Sequence, residues 1–226
     1  MQWPLLEQVY SLLYTLITQY SSGTQAFITK SFLIHLAHNL HSGDMRETAI
    51  LNSIFVKLYA QYNDLREMIR FALKVAIHER LREYSPHFHE NGMQDDWMNG
   101  IHEILEIYAL ILKGIATPVH SEHSEFLKKY LLSLLKQSNI EVYYDNLKLC
   151  MRRILSKDPL LVKPVLTALV KYWPVGNLNK KIAFVFMIEM CIEVVKDELV
   201  MAEVRQIIYQ QYCKCIRGDN AIVGDD

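Results

Sequence analysis

Arg46 to Arg70 reads RETAILNSIFVKLYAQYNDLREMIR and carries two helical periods with almost no loop between them. Ile50, Ile54 and Leu58 recur every fourth residue, and Leu65, Met68 and Ile69 resume the pattern after Asn63-Asp64. Lys57, Tyr59, Arg66 and Arg70, with Lys74 one turn further on, cut across the apolar seam. A bundle core has no use for such polar heads. Two helices with buried seams and a shared cationic patch predict a surface made to hold something. Taken alone, the stripe Arg66, Arg70, Lys74, interleaved with Glu67, Glu79 and Glu83, is also the pattern of a solvated helix face.

Helices extend from this stretch in both directions. Upstream, Pro4 to about Tyr20 carries Leu5, Val9, Leu12, Leu13 and Leu16 on one stripe, and Ser21 to Thr24 (SSGT) breaks it. A second helix covers roughly Phe27 to His41. Asp44 then caps the next, with Glu47 as the reciprocal partner of a capping box. That helix runs to about Tyr62, and Asn63-Asp64 with Glu67 starts another that reaches Tyr84.

Downstream, Ser85 to Asp96 is the longest loop. Helices follow over Trp97 to about Ile115, Ser121 to Lys136 and Glu141 to Ser156. Asp158-Pro159, a capping carboxylate before a first-turn proline, starts one that ends at Tyr172-Trp173-Pro174. Leu178 to Val195 and Asp197 to Arg217 complete the set, and residues 218–226 read as a frayed tail. Every second helix begins near positions 4, 44, 97, 141 and 178. About ten helices paired at a period of roughly 37 to 53 residues indicate an all-α solenoid of the HEAT or armadillo kind, about five helical pairs in one domain over residues 1–226.

Composition excludes several classes. With 51% hydrophobic and 22% charged residues the chain is a packed globular one rather than a disordered one. A net charge of −1 leaves no global attraction for nucleic acid. The most apolar run, from Ile182, is broken by Glu189 and Glu193, which argues against a membrane span. Cys150, Cys191, Cys213 and Cys215 lack the spacing of a zinc site or a disulfide framework, and no secretory signal opens the chain, so a reducing compartment is expected.

Catalytic chemistry is not readable either. His78-Glu79 and His102-Glu103 begin like a zincin motif but lack its second histidine. His87 and His89 in the long loop are at most a weak surface metal pair, and His120, Glu122 and His123 lack a further ligand. No phosphate loop, nucleophile elbow or Cys/His pairing occurs. The residues therefore predict a helical-repeat binding module, with no cofactor and no enzymatic activity.

The same opening stretch resembles the corresponding segment of the B′ (B-prime) regulatory subunits of protein phosphatase 2A. Asn99 to Leu127, beginning NGIHEILEI, is similar to the family's NGIAELLEI segment, and Leu155 to Pro174, ending KYWP, resembles a second family block. The likeness covers nearly the whole chain in order. It implies a HEAT-like solenoid whose concave groove reads acidic Leu-x-x-Ile-x-Glu motifs, some of them phosphorylated, and which docks on the phosphatase scaffold and catalytic subunits. Position by position, it assigns peptide-binding roles to Val56, Lys57, Tyr59, Arg66, Glu106, Ile107, Ile111, His120 and His123.

Ile107 and Ile111 are expected to enclose a motif isoleucine, contributing about 1.5–3 kcal/mol. Val56-Lys57 stands where the family has His-Arg, so charge is kept while the planar fork is lost. His120 replaces a lysine and is only partly charged near neutral pH. Weaker or altered motif preference is expected. The resemblance further implies that the family's first and C-terminal repeats are missing here, and that the chain works in the cytoplasm, the nucleus or both. The competing reading is a HEAT-like scaffold or peptide-binding protein that no longer assembles with the phosphatase.

Overall fold

A computed structural model describes residues 3–83, 100–196 and 198–217. All regular structure among them is helical. The chain separates into two compact units, Met1–Ile111 and Leu112–Asp226.

The first unit contains α1 (Trp3–Gln19), α2 (Ser21–Thr24), α3 (Lys30–His38), α4 (Met45–Gln61), α5 (Arg66–Glu83) and most of α6 (Ile101–Lys113). The most extensive helix contacts join elements of successive pairs: α1 lies on α4, and α3 on α5. Helices one pair apart thus stack in two layers, the arrangement of a helical-pair solenoid. The seam is apolar at helical spacing, with Leu51, Ile54, Phe55 and Leu58 of α4 and Ile69, Leu73 and Ile77 of α5 excluded from water. Each such side chain contributes about 1.5–3 kcal/mol when buried.

Three local details differ from the sequence reading. The stripe Leu5, Val9, Leu12 and Leu16 of α1 faces outward, with Leu5 63% exposed, whereas Tyr10 and Ile17 are buried. α1 is apolar on both faces, so periodicity cannot choose between them. Hydrogen bonding does: the Tyr10 hydroxyl donates to the Glu47 carboxylate at 2.7 Å and accepts from the Asn39 amide at 3.2 Å. Glu47 consequently serves Tyr10, while Asp44 alone caps α4, accepting from the Arg46 N–H at 2.9 Å. Burial, reinforced by that Glu47 bond, pushes the Tyr10 pKa up to about 12. The predicted break at SSGT is instead a short helical turn, in which the Thr24 hydroxyl reaches back to the Leu16 and Tyr20 carbonyls.

α6 is preceded by Gly100, whose φ of +86° suits glycine. A side chain here would also collide, since a Cβ would lie 2.7 Å from the Leu40 carbonyl oxygen. This close approach sets where α6 enters the first unit.

The second unit runs through α7 (Ser121–Phe126), a π turn (Leu127–Leu131), α8 (Leu132–Leu134), α9 (Tyr144–Leu155), α10 (Val162–Lys171), α11 (Leu178–Val194) and α12 (Glu198–Arg217). Again α9 lies on α11, and α10 on α12. The continuous helix expected over Ser121 to Lys136 is interrupted by the π turn. Asp158 caps as expected, accepting from the Leu160 N–H at 3.2 Å, although the first turn is a 3-10 turn over Pro159–Leu161. Tyr143 is fully buried, its hydroxyl donating to the Leu134 carbonyl at 3.0 Å. The alternate helix starts, Trp3, Met45, Ile101, Tyr144 and Leu178, reproduce the predicted period.

Candidate functional site

The cationic patch lies in the first unit, where α4 hands over to α5. Asn52, Val56 and Tyr59 sit on one stripe of α4, at steps of four and three residues. A 3-10 turn at Asn63–Leu65 makes the connection tight, so the first residue of α5, Arg66, folds back over the last turn of α4. Its Nε donates to the Tyr59 carbonyl at 2.9 Å, and the guanidinium lies 5.1 Å from the Tyr59 ring centre. One turn on, the Arg70 Nη1 donates to the Tyr59 hydroxyl at 3.1 Å. The buried Tyr108 of α6 completes the cluster by donating to the Arg70 carbonyl at 2.8 Å.

This arrangement fixes a cation without neutralising it. The partners given to Arg66 are a carbonyl and an aromatic face, which orient a guanidinium while leaving its charge. Anchoring through Nε leaves the two Nη groups as the fork that a carboxylate or phosphate meets end-on. Lys57 is half-buried and makes no ion pair among the described residues. Glu106, on exposed α6 surface, accepts from the Asn52 side-chain amide.

Of the nine residues singled out from sequence, Tyr59 and Arg66 are in direct contact. Val56 and Lys57 lie one turn or less before Tyr59 on α4. Ile107 and Ile111 are 1% and 4% exposed and so form part of the core, offering almost no open apolar surface. His120 and His123 belong to the second unit. His120 is the N-cap of α7, its Nδ1 accepting from the Glu122 N–H at 3.3 Å. Sequence reasoning missed Tyr108 and Asn52. Asn52 was detectable in principle, four residues before Val56 on the same stripe, whereas nothing local in the sequence pairs Tyr108 with a backbone carbonyl 38 residues away.

Other chemistry finds no centre. Among the described residues no three His, Cys, Asp or Glu side chains converge as a metal site. His87 and His89 lie outside the described residues. Burial pushes the Cys150 and Cys191 thiols well up, with Cys191 at about 12, which suppresses the reactive thiolate. No helix among the described residues is long and apolar enough to cross a membrane.

Residues 1–225 match the family described as "Protein phosphatase 2A regulatory B subunit (B56 family)". The chain belongs to the B56 family. Its B56 relatives include the protein phosphatase 2A regulatory subunit psrA of Dictyostelium discoideum, 29% identical over 226 residues, covering 99% of this chain and 34% of that protein. The 56 kDa regulatory subunit delta isoform of Saccharomyces cerevisiae is 30% identical over 217 residues, 95% of this chain and 27% of the yeast protein. The human delta isoform is 28% identical over 217 residues, again 95% of this chain and 34% of its own length. The chain thus spans about a third of the length of these relatives. B56 proteins are regulatory, non-catalytic chains, in agreement with the expected absence of an active site.

Proposed function

We propose that this chain is a non-catalytic regulatory subunit of protein phosphatase 2A that docks on the scaffold and catalytic subunits. It recruits cytoplasmic or nuclear proteins through acidic Leu-x-x-Ile-x-Glu-type motifs, and its acceptor for the acidic part of the motif is the patch around Arg66. The observation that carries this reading is the guanidinium of Arg66, held on Tyr59 and backed by Arg70 and Tyr108. A preset fork loses little freedom when it meets a carboxylate. Lys57 supplies a second charge without directional geometry. Because Ile107 and Ile111 offer little open surface, the affinity rests mainly on charge and falls with salt.

The test is capture from a lysate with the tagged chain, scored for the phosphatase subunits and for motif-bearing proteins. Wild type should retain both, and Arg66→Ala should retain the phosphatase subunits while losing the motif-bearing proteins. Failure of wild type to retain the scaffold and catalytic subunits would remove the regulatory-subunit assignment.

A further inference from the structure

The second unit contains a groove that the reading above does not use. Its volume is about 460 Å³, within the range of ligand pockets. One wall comes from the π turn and its continuation, with Lys128, Leu132, Ser133 and Lys136; the other is α10 and its end, with Lys163, Pro164, Ala168 and Lys171 among others. On α10, Lys163 and Lys171 stand eight residues apart, about 12 Å along the helix. The other wall likewise carries its two lysines eight residues apart in the chain, with apolar or small side chains between them on both walls. Cations therefore stand at the ends of the groove and an apolar floor lies in its middle.

The lysines differ in how they are engaged. Lys163 pairs with Glu203 at 3.1 Å, but both side chains are more than half exposed, so the pair is weak and exchangeable. Lys128, Lys136 and Lys171 have no carboxylate partner among the described residues. The Lys136 and Lys171 ammonium groups each lie 5.4 Å from the centre of the same Tyr172 ring, which gathers two like charges at one end. Ser133 and Thr167 already donate to the Lys129 and Lys163 carbonyls, so the middle of the groove brings no hydroxyl proton to an anion. The π turn, a distortion that recurs at functional sites, forms part of the first wall.

We propose that this groove binds a short acidic peptide of a particular pattern: two acidic residues three or four positions apart, with an apolar side chain between them. An extended chain covers about 12 Å in that many residues, matching the spacing of Lys163 and Lys171 along α10. A compact polyphosphate would need donors throughout the groove, whereas donors are present only at its ends. The site stands independently of the Arg66 patch.

The probe is fluorescein-labelled Gly-Asp-Ala-Leu-Ala-Glu-Gly, titrated by fluorescence polarisation against the full chain at low salt. Wild type should bind it. The double charge reversal Lys136→Glu with Lys171→Glu should weaken binding by at least about tenfold, and the charge-neutralising pair Lys136→Gln with Lys171→Gln by less. The peptide with Asn and Gln in place of its acids should not bind, and the peptide with Ser for Leu should bind more weakly. The loss caused by the lysine substitutions should be the same in an Arg66→Ala background, separating this site from the first. Circular dichroism of each variant confirms the fold, and if the Glu pair unfolds, the Gln pair decides. Full affinity in the folded lysine variants, equal binding of the uncharged peptide, or lysine-dependent capture of oligothymidylate or anionic vesicles without the peptide would overturn the proposal.

Discussion

Arg66 in the first unit and Lys171 in the second are both cations beside a tyrosine ring, yet they are held in opposite ways. Arg66 donates to a backbone carbonyl, and its neighbour Arg70 is tied to the same tyrosine and to a buried one beyond it. Lys171 shares Tyr172 with Lys136 and has no carboxylate beside it among the described residues. The first patch is preorganised and suits a ligand that must be oriented. The second is a loose set of point charges and suits a ligand recognised by spacing. Arginine and lysine are distributed accordingly, the fork where geometry counts and the mobile ammonium where only charge does.

If the first patch depends on its scaffold, disturbing that scaffold has the largest effect. Gly100→Ala should cost about 3 kcal/mol in denaturant unfolding, combining a positive φ with a collision against Leu40. Gly176 in the second unit has the same φ sign, but a Cβ there meets nothing within 4 Å, so Gly176→Ala should cost only about 1 kcal/mol. Equal losses would show that the crowding at Leu40 does not anchor α6.

Removing the Tyr108 hydroxyl comes next. Tyr108→Phe should lose about 1 kcal/mol, the net worth of its bond to the Arg70 carbonyl, and should weaken motif-peptide binding although Tyr108 itself is buried. Unchanged affinity would mean that the cluster is fixed without α6. In the second unit, Lys136→Gln with Lys171→Gln should shift stability by no more than about 0.5 kcal/mol, as measured by thermal unfolding, since both lysines are exposed and their contacts to the Tyr172 ring are weak in water.

The smallest effect concerns acid. The Arg46 guanidinium bonded to Asp44 holds its carboxyl at about 2, below the ordinary 3.8. A depressed carboxylate stabilises the fold fully above the ordinary value, and that contribution disappears as pH falls through about 2. Asp44→Asn should therefore flatten the pH dependence of stability between about pH 4 and pH 2 and leave its slope near neutrality unchanged.

The repeat register was legible because its punctuation is chemical. Asp44 and Asp158 cap where a carboxylate before an apolar run should cap, and the helix pairs follow at the spacing that the apolar seams prescribe. Choice of face was not legible where a helix carries apolar residues on more than one face. In α1 it fell to the Tyr10 bond to Glu47, a contact across 37 residues. In α6 the run of apolar residues hid the fact that Ile107 and Ile111 are core residues.

Tyr59 and Arg66 stood out as polar heads across the apolar seam, but only the family resemblance gave them a ligand class, since their spacing also fits a solvated face. The lysine groove was invisible for a different reason. Its walls come from segments more than 25 residues apart, and neither segment is unusual by itself.

The most direct measurement is calorimetric titration of a Leu-x-x-Ile-x-Glu peptide against wild type, Arg66→Ala and Lys57→Ala, at two salt concentrations. Arg66→Ala should lose at least about tenfold in affinity and Lys57→Ala less, with wild-type binding weakening as salt rises. Unchanged affinity in both variants would contradict the assignment of the Tyr59–Arg66 patch as the peptide site.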